Sequence, residues 1–150
     1  MARPRPARMR DIAGIGVDRM SSIADGAGRD MLRLENLDVD IPPDAEAIAR
    51  TRAAAGMDDD NSYLPFIGQT RLRQVAARHV AGLSGVSYTE RNVVISAGGL
   101  SGILNVLLAT VETGDEVIVT DPTYAGLLNR IRLAGGVPRF VPFVFNVRAS

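Results

Sequence analysis

The chain has 150 residues, 46% of them hydrophobic and 23% charged, which is the profile of an ordinary globular protein long enough to bury a core. Its 17 basic residues balance 17 acidic ones, so the basic excess of a dedicated nucleic-acid binder is excluded. Absence of cysteine and a single histidine, His79, exclude disulfides, thiolate catalysis, cysteine zinc sites and histidine-rich metal sites. All 17 basic residues are arginine, so any chemistry that needs an ε-amino group lies beyond this chain acting alone.

The N-terminal stretch Met1–Arg10 is basic and carries prolines at positions 4 and 6. No apolar run follows it, so it reads as a disordered leader rather than a secretory signal. No run of about 18 apolar residues occurs, so no membrane span is expected and the default compartment is the cytoplasm. Spacing of Met20, Ile23 and Ala24 predicts a short helix over Val17–Ala27, ended by Gly26 and Gly28. Met31–Glu35 is a short strand candidate. Pro42-Pro43-Asp44 opens a helix that runs to Gly56, followed by the polar loop Asp58–Ser62. Gly68–Leu83 predicts an amphipathic helix with Leu72, Val75, Ala76, Val80 and Leu83 on its buried face.

From residue 92 the pattern becomes strand, helix, strand, helix, strand. The expected strands are Asn92–Ser96, Glu116–Thr120 and Val137–Phe145. The expected helices are Leu100–Thr113, apolar nearly all round and so expected to be buried between layers, and Tyr124–Ala134, packing through Leu127, Leu128 and Ile131. Short apolar strands alternating with helices are the signature of parallel βαβ units.

Several motifs reduce to ordinary structure. Gly14-Ile-Gly16 starts like a dinucleotide fingerprint, but Arg19 fills the sixth position and no apolar strand precedes it. Asp58-Asp59-Asp60 reads as a solvated loop, and His79 has no partner ligand. Gly99-Leu-Ser101-Gly102 lacks the spacing of a nucleophile elbow. More informative is Ser96-Ala-Gly-Gly-Leu100, where glycines between a strand end and a helix start let backbone N–H groups approach an anion. Tyr124 follows the next strand at the equivalent place, where an aromatic ring can cover a planar ligand. An anion cradle beside a ring platform suits a phosphorylated aromatic cofactor.

Four stretches carry a resemblance over roughly residues 31–142. They are Leu32-Arg-Leu-Glu35 with Asp40-Ile-Pro-Pro43; Tyr63-Leu-Pro-Phe-Ile-Gly68 with Leu72-Arg73; Val93-Val-Ile-Ser-Ala-Gly-Gly99; and Gly114-Asp-Glu-Val-Ile-Val-Thr-Asp-Pro-Thr-Tyr124. In order and spacing the chain resembles the N-terminal portion of class I/II aminotransferases, the fold-type-I pyridoxal-phosphate (PLP) enzymes. The resemblance implies a three-layer α/β/α fold with a mainly parallel sheet. It implies an arm over residues 1–30, a small-domain segment over 31–42 and an incomplete PLP-binding large domain over 43–150.

Carried over residue by residue, Gly98, Gly99 and Leu100 match the loop whose backbone amides hold the PLP phosphate. Tyr124 matches the aromatic that stacks on the pyridine ring, and Tyr63 a tyrosine that reaches the neighbouring subunit's cofactor in a homodimer. Leu100 stands where a hydroxyl residue often adds a bond to the phosphate, and Asn36-Leu37 where many members carry glycine. The resemblance stops short of the segments that carry the Schiff-base lysine, the pyridinium-binding aspartate and the carboxylate-binding arginine. The chain therefore reads as part of an enzyme that moves an amino group from an amino acid to a 2-oxo acid, inactive alone. It would work in a homodimer or with a complementary chain, without nucleic acid or membrane. The alternatives are a non-catalytic α/β phosphate-binding or interaction module, and one half of a split aminotransferase. Strands 92–96 and 116–120 would then lack the neighbours the family provides between them.

Overall fold

The computed structural model describes residues 4, 6–12, 14–28, 32–35 and 39–144. The chain divides into two compact units, residues 36–96 and residues 1–35 with 97–150.

The unit 36–96 is built from two helices and the loops that cap them. Helix α2, Ala45–Ala54, starts at Asp44, whose carboxylate accepts from the N–H groups of Glu46 and Ala47. Pro42 and Pro43 thus precede the helix rather than sit in its first turn, and the aspartate supplies the cap. The polar loop after α2 is a 3-10 turn, Asp58–Asn61. Its Asn61 amide donates to the carbonyls of Ala54, Ala55 and Met57, closing the end of α2.

Helix α3, Thr70–Ser84, forms where the periodicity places it, but its buried face is different. Arg73 and Ala77 are buried, whereas Leu72, Val75, Val80 and Leu83 are exposed. The reason lies in Arg73. Arg73 is 8% exposed, and its guanidinium donates to the carbonyls of Gly68 (3.1 Å) and Glu90 (2.8 Å) and so draws that side of the helix inward. Gly68 has φ +99°, and a Cβ there would stand 2.4 Å from Ile95 Cγ1. Only glycine lets the Ile67–Gly68 turn lie against Ile95, whose N–H donates to the Ile67 carbonyl at 3.0 Å. The expected strand over 92–96 does not form. Val93 is extended, but Ile95 bonds a loop rather than a neighbouring strand, so there is no ladder.

The second unit carries helix α1, Gly16–Ala27, as expected, although Ile23 and Met20 are exposed and Ala24 is its buried residue. Leu32–Leu34 adopt no strand, and Met31 lies outside the described residues. Helix α4 (Gly99–Thr110), strand β1 (Glu116–Asp121), helix α5 (Ala125–Leu133) and strand β2 (Val137–Pro142) follow. β1 and β2 pair in parallel, Glu116 opposite Val137 through Asp121 opposite Pro142. Crossing from β1 to β2 through α5 is the parallel unit that the spacing predicts. The core under it is small: Leu107 of α4, Val119 of β1 and Ile131 of α5, with Val111, Val117, Leu127, Leu128 and Ala134 packed around them.

Helix α4 corrects one expectation. Only Leu107 is buried, while Ile103, Val106 and Leu108 are exposed. A helix apolar on all sides needs cover on all sides, and among the described residues its packing partner is α5 and the β1 layer on one side. The sheet edges are also unequal. Val137 N–H donates to Asp115 and Phe143 N–H to Asp121. Alternate residues of a parallel strand face one neighbour, so 137, 139, 141 and 143 face β1 and 138, 140 and 142 face outward. Pro138 and Pro142 therefore both sit where their missing N–H is on the outer edge of β2, and they blunt it. β1 has no proline, and its Ile118 side chain is 75% exposed. We expect the chain to self-associate across β1. Ile118→Lys should raise the fraction of monomer in sedimentation while changing unfolding stability by no more than about 0.5 kcal/mol, since the side chain is not in the core. Unchanged association would place the contact elsewhere.

An ion pair ties the two strands at their starts, with Arg139 donating to Glu116. That hydrogen bond and the arginine's charge hold the Glu116 carboxyl below its ordinary value. A carboxyl with a lowered folded pKa adds stability above its unfolded value, about 4.3, and loses it as pH falls through the lower folded value. Glu116→Gln should thus unfold more easily than the parent at neutral pH, by a small margin because both side chains are exposed. The two should converge in acid in pH-dependent thermal melts.

Candidate functional site

The candidate cradle is the start of α4. Gly98 occupies the N-cap position with φ +82° and ψ 165°, and no side chain caps the helix. That backbone conformation belongs to glycine. Gly99 and Leu100 form the first turn, and Gly102 N–H returns to the Gly98 carbonyl at 3.2 Å. Gly98 and Gly99 are exposed, and a Cβ built on either meets nothing within 4 Å. The Cβ side of both glycines is therefore open. An uncapped helix start directs backbone N–H groups and the positive end of the helix dipole beyond its first turn.

Tyr124 is the N-cap residue of α5, three residues beyond the end of β1, and is 52% exposed. One edge of its ring lies along Gly126, where a Cβ would come within 2.4 Å of Cε1. Arg130, one turn further along α5, donates from Nη1 to the Gly126 carbonyl (2.9 Å) and from Nε to the Leu100 carbonyl (3.2 Å). The first turn of α4 and the first turn of α5 are thereby joined through one guanidinium. Sequence reading singled out neither Gly126 nor Arg130. The one available signal was a glycine in the first turn of an otherwise good helix former, four residues before an arginine.

Tyr63 lies in the other unit, in the loop between the 3-10 turn and α3, with its side chain fully exposed. Asn36 and Leu37 lie outside the described residues. Among the described residues no cluster of histidine, aspartate and glutamate is arranged to hold a metal, and no helix is long and apolar enough to cross a membrane. The turn at α4 suits a phosphate and the exposed ring suits a planar partner. A covalent amine anchor is missing from the chain, which has no lysine at any position.

A parallel βαβ crossover with two glycine-bearing helix starts defines an α/β protein of the kind that takes ligands beyond the carboxyl ends of its strands. Residues 31–148 match the family of aminotransferases class I and II, and the chain belongs to that family, whose members use PLP. It is 30% identical over 134 residues to an aspartate/prephenate aminotransferase of Cereibacter sphaeroides, covering 88% of this chain and 33% of that protein. It is 31% identical over 132 residues to LL-diaminopimelate aminotransferase 2 of Trichormus variabilis, covering 87% of this chain and 33% of the relative. Among solved structures it resembles aspartate aminotransferase from Thermus thermophilus with maleate (TM-score 0.79, 26% identity, 95% of this chain and 38% of that one). The aspartate aminotransferase of Thermotoga maritima shares the fold (TM-score 0.81, 23% identity, 93% of this chain and 38% of that one). The chain thus spans about a third of the length of the curated relatives it matches, and its α/β fold is part of the fold-type-I architecture.

The two glycines of the cradle should respond differently to a methyl group. Gly98→Ala forces a side chain into a glycine conformation and should lower unfolding stability by about 1–3 kcal/mol. Gly99→Ala, inside the helix with open space around it, should leave stability equal or higher by up to about 1 kcal/mol. Denaturant unfolding of both variants checks this, and equal losses would contradict the assigned backbone conformation.

Proposed function

We propose that this chain carries the phosphate-holding and ring-covering part of a PLP-dependent aminotransferase site and is catalytically incomplete by itself. In this reading the backbone N–H groups of Gly98, Gly99 and Leu100 hold the cofactor phosphate. Tyr124 covers the pyridine ring, and Tyr63 reaches the cofactor of a neighbouring subunit in a homodimer. Residues 31–42 belong to the small domain and 43–150 to the large one. The observation that carries the reading is the start of α4, a glycine turn in the conformation reserved for glycine, exposed and with room around the Cβ positions of Gly98 and Gly99.

When bound, PLP supplies a carbonyl that captures an amino group and a ring that accepts electrons. What this chain adds is binding and orientation. The α4 dipole and its first N–H groups oppose the phosphate charge. Leu100 brings no hydroxyl, so the phosphate relies on backbone donors at that turn. The Tyr124 ring keeps water from one face of the pyridine. No side chain here can anchor the cofactor covalently or carry the proton that a lysine carries in the complete reaction. Transfer of an amino group to a 2-oxo acid therefore waits on a lysine-bearing complement. The names of the relatives make a dicarboxylic amino acid the donor to assay first.

The lysine-free composition also favours a second reading, a phosphate-binding module with no catalytic role. Titration of PLP onto the chain separates the outcomes. Under the first reading binding is reversible, and borohydride leaves no pyridoxyl group on any side chain. Gly98→Val should weaken binding by about tenfold or more, equivalent to about 1.4 kcal/mol, and Ser101→Ala by much less. Equal effects at the two positions would remove the cradle. Adding a lysine-bearing complementary segment should produce transamination, and binding without any such activity would favour the second reading.

A further inference from the structure

We infer that α5 contains a two-point positioning device, in which Gly126 sets where the Tyr124 ring stands and Arg130 locks that turn to the start of α4. The inference rests on the reading of Tyr124 and Gly98–Leu100 as the ring platform and cradle of one cofactor site.

A helix start normally favours residues other than glycine at its second position, since glycine lacks helix propensity. Here the second residue of α5 is glycine, and it is buried. The ring of Tyr124 occupies the volume a side chain would need, with Cε1, Cδ1 and Cζ at 2.4, 3.1 and 3.2 Å from the position of a Cβ. Any larger residue at 126 would drive the ring off the helix. The ring is thus seated by one edge against backbone, while 52% of Tyr124 remains exposed. A ring seated in this way has lost rotamer freedom before any ligand arrives, which lowers the entropy lost on binding.

Arg130 completes the device. Its carbonyl partners belong to two different helix starts, Gly126 of α5 and Leu100 of α4. A planar guanidinium spans both in a fixed fork geometry, which a flexible lysine ammonium does not reproduce. The bond to Leu100 holds the turn that follows Gly98 and Gly99, so the platform and the cradle move as one piece. Gly126 and Arg130 are positioning residues, for neither is argued to touch a ligand.

The test uses the full chain. Tyr124 is made the only tyrosine by Tyr63→Phe and Tyr88→Phe. The chain has no tryptophan, so near-ultraviolet circular dichroism then reports the immobilisation of this ring. Gly126→Ala should lower that band at least twofold. It should also destabilise the chain when Tyr124 is present and stabilise it when Tyr124→Ala has removed the ring, a reversal of sign within one double-mutant cycle. Arg130→Lys, which keeps the charge, should raise amide exchange across residues 99–104 as much as Arg130→Met does. An unchanged tyrosine band in Gly126→Ala, or stabilisation with and without the ring, overturns the role of Gly126. Full protection of 99–104 in Arg130→Lys overturns that of Arg130. Titration of PLP onto the parent chain is read separately. A parent that fails to bind PLP, alongside a sign reversal at 126, removes the cofactor reading and leaves the ring placement standing.

Discussion

Packing of Ile131 between α4 and β1 is the contact on which the rest of the second unit depends. Its side chain is 0% exposed, the largest fully buried one among the described residues, and it meets Leu107 and Val119. Those three residues come from α5, α4 and β1. Burying an aliphatic side chain of this size contributes about 1.5–3 kcal/mol. The two helix starts that carry Gly98 and Tyr124 are supported by this cluster and by Arg130. Their separation is consequently set by a very small core and one guanidinium.

Such a core leaves much apolar surface uncovered. α4 shows Ile103, Val106 and Leu108 to solvent, and β1 shows Ile118. These side chains sit on elements whose local geometry is regular, so the surface reflects missing cover rather than poor packing. Relatives that share the fold are nearly three times as long as the portion matched. The prolines of β2 close one edge of the sheet chemically, and the opposite edge retains its backbone donors and acceptors. In the other unit the buried arginine plays the part that a hydrophobic core plays elsewhere. Arg73 joins the turn at Gly68 to the turn at Glu90 through carbonyl acceptors.

Family membership and a partial fold-type-I architecture are established for this chain, while its chemistry is constrained by composition. A phosphate needs donors and positive potential, and a helix start can supply both without a single ionisable side chain. A Schiff-base anchor needs an ε-amino group, which arginine cannot replace because its guanidinium does not lose a proton in proteins. Binding functions can thus reside in this chain, and a lysine Schiff base cannot.

Much of this was legible in the residues themselves. The βαβ unit follows from strand length and helical spacing, both local properties. The family follows from short motifs such as Gly114–Tyr124, and the lack of a lysine Schiff base from a simple absence of lysine. The sequence also determined that residue 98 could adopt a conformation closed to other residues. Tertiary structure alone decided which apolar faces were covered. Helix α3 turned Arg73 inward and left its apolar stripe outside, because two carbonyls in distant turns were there to receive the guanidinium. Residues 93–96 did not become a strand, because a ladder requires a neighbour that periodicity cannot reveal. The seating of Tyr124 on Gly126 and the reach of Arg130 to Leu100 depend on side-chain directions and on contacts 30 residues apart, which no local pattern encodes.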